Sequence, residues 1–101
     1  MAAIGSSVFK TTSKSPKIYN VSAPTADTEV SQTLTSGTKA FTIRVRGNAR
    51  LQYAFTSTES GTNYITVPRG CSSHEDSLNF TGTLYFQTDK DSQTVEILEW
   101  S

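Results

Sequence analysis

A chain of 101 residues with 35% hydrophobic content and no net charge is one domain, able to bury roughly 65% of its unfolded surface around a single core. Nine basic residues cancel nine acidic ones, which argues against a nucleic-acid partner, because phosphate neutralisation supplies most of the affinity of such binders. No apolar run approaches the length of a membrane span, and a lone cysteine, Cys71, removes any internal disulfide and any need for an oxidising compartment.

Residues 1–16, MAAIGSSVFKTTSKSP, form a polar arm without the continuous apolar core of a signal peptide, which predicts synthesis and use without export. Its composition is that of a terminus that frays unless tied down. Ile4, Val8 and Phe9 are the residues able to anchor it, on its own domain or on a neighbouring subunit. Residues 17–101 then read as one domain of short strands.

KIYNVSA (17–23) is a first strand, closed by Pro24, and EVSQTL (29–34) a second, with Val30, Gln32 and Leu34 on one face. Thr35 to Thr38 is a loop. The clearest pattern runs from Phe41 to Phe55. Phe41, Ile43 and Val45 alternate with polar residues, and so do Leu51, Tyr53 and Phe55, which places each set on one buried face. Gly47-Asn48 lies between them, and such a pair supplies the positive φ of a two-residue turn, so a β-hairpin is predicted. NYITV (63–67) follows, with Ile65 and Val67 as its inward pair, and stops at Pro68-Arg69-Gly70. CSSHEDSLNF (71–80) reads as a polar loop with a short edge strand near Leu78 to Phe80. LYFQT (84–88) and TVEILEW (94–100) close the chain as two strands around a hairpin loop at Asp89 to Ser92. In the last strand Val95 and Ile97 share one face, with Leu98 and Trp100 on the other. Trp100 is a residue type enriched in interfaces.

Seven or eight short strands, with no helical repeat, predict an all-β fold: a two-sheet antiparallel β-sandwich, jelly-roll-like, behind an extended N-terminal arm.

Charge is distributed unevenly. Up to Arg50 the chain holds seven basic residues against Asp27 and Glu29, and after it Arg69 and Lys90 face seven carboxylates. The split pairs either the two halves of one fold or neighbouring subunits. Arg44 and Arg46 share the outward face of their strand. They meet either acids within the sheet or the Glu96/Glu99 region of another copy.

No pattern for catalysis, a cofactor or a metal is present. His74-Glu75-Asp76 is the one titratable cluster, but neighbours on an extended strand point to opposite faces, and the chain has no second histidine. Cys71 lacks a third group to orient a Cys–His pair and reads as a half-buried structural thiol. Tyr19, Tyr64 and Tyr85 read as exposed rings able to stack on sugars, or as ordinary strand residues.

The order of segments carries a resemblance. A polar arm is followed by TEVSQTL, FTIRVRG, SGTNYITVPRG, GTLYFQT and VEILEW. Over residues 25–101 this resembles small β-sandwich structural proteins of tailed bacteriophages, which serve as capsid decoration or cement proteins, or as head or tail accessories. The resemblance implies a non-enzymatic virion protein, made in the bacterial cytoplasm and placed on the capsid surface. Its partner would be the major capsid protein, and a homo-oligomer, a trimer within such families, is implied. Ile4, Val8, Phe9, Arg44, Arg46 and Trp100 are then the candidate interface residues. A tail or fibre accessory and a carbohydrate-binding β-sandwich module are the alternatives.

Overall fold

The computed structural model describes residues 16–101. The predicted arm, and with it Ile4, Val8 and Phe9, lies outside the described residues except for Pro16. Among the described residues there is no helix. Eight strands follow one another: β1 (Lys17–Ala23), β2 (Val30–Thr33), β3 (Ala40–Val45), β4 (Leu51–Ala54), β5 (Ile65–Val67), β6 (Ser72–Glu75), β7 (Thr83–Thr88) and β8 (Gln93–Trp100). They form two antiparallel sheets of four, ordered β1-β8-β3-β6 and β2-β7-β4-β5.

Alternation along the strands builds one core between the two sheets. From the first sheet come Ala23, Phe41, Ile43, Val45, Val95 and Ile97, and from the second Leu51, Tyr53, Val67, Leu84 and Phe86, all in a single buried cluster. Phe41 and Tyr53 meet edge to face across the layers, with ring centroids 6.2 Å apart, a favoured geometry for the ring quadrupoles.

The Phe41–Phe55 stretch is not a hairpin. β3 pairs with β6 and β8 in the first sheet, whereas β4 pairs with β5 and β7 in the second. The connection 46–50 is therefore a corner between layers, and neither Gly47 nor Asn48 has a positive φ. The pattern predicted both strands and the inward placement of Phe41, Ile43, Val45, Leu51 and Tyr53, but Phe55 lies past the end of β4 and is 45% exposed while Ala54 is buried, and alternation does not say which strand pairs with which. The same correction applies to Asp89–Ser92, which links β7 in one sheet to β8 in the other. Among the described residues β4 and β5 are the only consecutive strands that pair.

Two further expectations change. The short strand placed near Leu78 to Phe80 is instead β6, which edges the first sheet beside β3, while Phe80 makes only an isolated bridge to Thr38. Ile65 lies opposite Tyr53 in register, but it is 43% exposed where Val67 is buried. β5 is an edge strand, so among the described residues no strand flanks Ile65 on its far side.

Connections 24–29, 46–50, 68–71 and 89–92 gather at one end of the layers. Ser92 N–H donates to the Pro24 carbonyl, Asp27 N–H to that of Thr88, and Arg50 N–H to the Asp89 carboxylate. Loops 34–39 and 76–82 meet at the other end through Thr38–Phe80 and Lys39–Leu78 backbone bonds.

Candidate functional site

The outward side of the first sheet brings three of the sequence-predicted interface residues together. Register aligns Ile18, Leu98, Thr42 and His74 in one row across all four strands, and Asn20, Glu96, Arg44 and Ser72 in the next. Ile18 is 69% exposed. With Leu98, Thr42 and Arg44 it lines a shallow and mostly apolar groove of about 260 Å³. Trp100 borders this face, its ring edge-on to His74 at 5.8 Å.

Arg44 and Arg46 rim the groove. Arg44 Nε donates to Glu96 Oε1 at 2.8 Å and Arg46 Nε to Glu96 Oε2 at 2.9 Å, while Arg46 also reaches the Asn20 side-chain oxygen. The acid they meet is thus within their own sheet. The hydrogen bond from Arg46, with that from Arg44 and the two positive charges, holds the Glu96 carboxyl below its usual range despite partial desolvation. Both guanidinium groups are more than half exposed, so the pair adds little stability and leaves donors facing outward.

Glu99 does not face outward beside Glu96. It follows Val95 and Ile97 on the inward side of β8 and is buried. Tyr19 Oη and Thr35 N–H both donate to its Oε1 at 2.9 Å. Burial pushes its carboxyl up, but the bonds from Thr35 and Tyr19 and the charge of Lys17 outweigh that and hold it below the usual range. The period-two spacing Val95-Ile97-Glu99 was the available signal for this placement.

The titratable cluster divides as strand alternation requires. His74 shares a hydrogen bond with Thr42 on the outward face. Glu75 turns inward to accept from the Tyr53 hydroxyl, which also bonds Ser73. Burial pushes that hydroxyl above the ordinary tyrosine range, the Glu75 charge reinforcing the shift and the Ser73 bond opposing it. Among the described residues no three His, Cys, Asp or Glu side chains converge as a metal site would need. Cys71 is exposed in the turn after Gly70, not half-buried.

The tyrosines separate too. Tyr19 is committed to Glu99, and Tyr85 is half-buried on the outward side of β7. Tyr64 is exposed, beside Phe55, in the long β4–β5 connection.

No protein-family model matches the sequence, and comparison with curated proteins and with solved structures finds no match.

Proposed function

We propose that this chain is a non-enzymatic virion structural protein that binds the exterior of a phage capsid and stabilises it. The observation that carries the reading is the outward face of the first sheet, where exposed Ile18 and half-buried Leu98 and Trp100 lie beside the outward guanidinium groups of Arg44 and Arg46. The partner class comes from the resemblance of the strand segments to phage decoration proteins.

The finer architecture is part of the same proposal. The strand orders β1-β8-β3-β6 and β2-β7-β4-β5 support an eight-stranded jelly-roll sandwich, two Greek keys. Such a fold presents a broad rigid sheet face, which suits repeated contact with a shell. Weak contacts at many copies, or within a homo-oligomer, sum to strong retention by avidity. The arm would add Ile4, Val8 and Phe9 as apolar anchors, leaving the domain at β1, the edge of the same sheet.

Co-sedimentation of the purified protein with undecorated heads tests this. Saturable binding at a fixed ratio to the major capsid protein, with heads made more resistant to heat, is the expected result. Ile18→Glu changes an exposed side chain and should weaken binding about tenfold or more without unfolding the domain. Deletion of residues 2–10 should weaken it separately. Heads that bind neither the parent chain nor its variants would overturn the capsid reading and turn attention to tail or fibre assemblies.

A further inference from the structure

The β4–β5 connection builds a second feature, on the other sheet. Ser60 folds back over the outward side of that sheet, where its hydroxyl donates to Glu29 at 2.6 Å and lies 3.1 Å from the Gln87 carboxamide. Glu29 also accepts from the backbone N–H groups of Thr58 and Ser60. This clamp holds Thr58 at a φ of 73°, a left-handed conformation that a β-branched residue rarely adopts. Strain of that kind persists only where the surroundings over-determine it.

The loop so fixed forms one wall of a groove of about 260 Å³ lined by Phe55, Thr56, Glu59, Asn63, Tyr64 and Ile65. Phe55 is 45% exposed and Tyr64 40%. The Phe55 ring is nonetheless held firmly. It meets Tyr53, Phe41 and Phe80 edge-on, at centroid distances of 5.9, 6.3 and 5.5 Å. Asn63 donates from its carboxamide to Glu59 Oε1 at 3.4 Å, and Asn63 N–H bonds the Glu59 carbonyl. A carboxylate and a carboxamide thus stand side by side next to a braced aromatic platform.

We propose that this groove is a binding site for a neutral sugar ring. A pyranose has an apolar C–H face, which an exposed aromatic ring can cover, and a rim of hydroxyls. Each hydroxyl both donates and accepts, matching the Glu59 carboxylate as acceptor and the Asn63 amide and Thr56 hydroxyl as donors. An alkylammonium would use the rings and the carboxylate, but it has no acceptor for Asn63 or Thr56. The volume lies below the roughly 300 Å³ at which pockets for drug-sized ligands begin, which suits one sugar ring. Because the platform and loop are already fixed, little ordering cost remains at binding. The groove shares no lining residue with the Ile18–Leu98 groove, so neither proposal depends on the other.

The test is saturation-transfer NMR on the full chain with neutral trisaccharides of glucose, of galactose and of N-acetylglucosamine, and with tetramethylammonium as the competing cation. Transfer to ring C–H protons of at least one trisaccharide is expected, with amide shifts clustered at Phe55, Glu59, Asn63 and Tyr64. Tyr64→Ala and Glu59→Gln alter surface side chains and should each weaken binding about tenfold while leaving the unfolding curve in place. Phe55→Ala would open the aromatic cluster and is not a clean probe. Transfer to none of the three sugars, shifts on another face, equal binding by both variants, or a response to tetramethylammonium alone would each overturn the proposal.

Discussion

Glu99 is a charged side chain 1% exposed at the end of a central strand, and an ion in such a place costs several kcal/mol unless its lone pairs are satisfied. Tyr19 from β1 and Thr35 from the loop after β2 provide that satisfaction, so one carboxylate ties the edge strand of one sheet to a loop from the other. Glu99→Ala removes the acceptor and leaves a hydroxyl and a backbone N–H without partners, and should lower the unfolding free energy by about 3 kcal/mol. Tyr19→Phe keeps the Thr35 bond and should cost about 1.5 kcal/mol. Urea denaturation of the two variants measures both, and equal losses would show that the tyrosine bond alone carries the tie. At this scale the sequence was half legible. Alternation placed Val95 and Ile97 inward and, continued one step, would have placed Glu99 with them. The partners that satisfy a carboxylate there come from positions 19 and 35, and no local pattern shows partners that distant.

Strands were legible because their cause is local. The segments 17–23, 84–88 and 94–100 match β1, β7 and β8 to within a residue, since period-two patterning needs only neighbouring residues to be read. Pairing is different. The corner at 46–50 has the composition of a hairpin turn, and its conformation is decided by β8 and β7 receiving the strands on either side. The β4–β5 connection shows the same dependence, since its course is held by Glu29, which precedes β2. Glu29→Gln retains the side chain's shape but not its charge, and weakens three bonds at once. Hydrogen exchange at the Thr58 and Ser60 amides should then accelerate about tenfold or more, while amides in β3 and β8 keep their rates, because local opening is governed by local ties. Uniform acceleration across the chain would mean that the loop and the sheets open as one unit.

Over the whole molecule, the chain folds as if doubled on itself: β1 pairs with β8, β2 with β7, β3 with β6 and β4 with β5. Every strand of the basic first half therefore lies against a strand of the acidic second half, and Arg44 and Arg46 of the first half meet Glu96 of the second within the fold. The carboxylates act as clasps between distant segments. Asp89 holds Arg50 N–H and Arg69, Glu96 holds Arg44 and Arg46, Glu99 holds Tyr19 and Thr35, and Glu29 holds the 58–60 backbone. All four are held below the ordinary carboxylate range. For Asp89 and Glu96 the first cause is the hydrogen bond from Arg50 N–H or Arg46, whereas in Glu29 and Glu99 burial pushes the other way and hydrogen bonds overcome it. A carboxyl with a depressed folded pKa binds its proton more readily in the unfolded chain, so stability rises with pH across that interval. The contribution is complete above the unfolded value of about 4 and is lost as pH falls through the lower folded values. Denaturation midpoints should therefore be flat from pH 7 to about 5 and decline increasingly steeply below about 4. In a Glu29→Gln, Glu99→Gln double variant the midpoint should start lower at pH 7 and fall less on acidification, because two of the four titrating clasps are gone. A double variant that declines as steeply as the parent would place the acid sensitivity elsewhere in the chain.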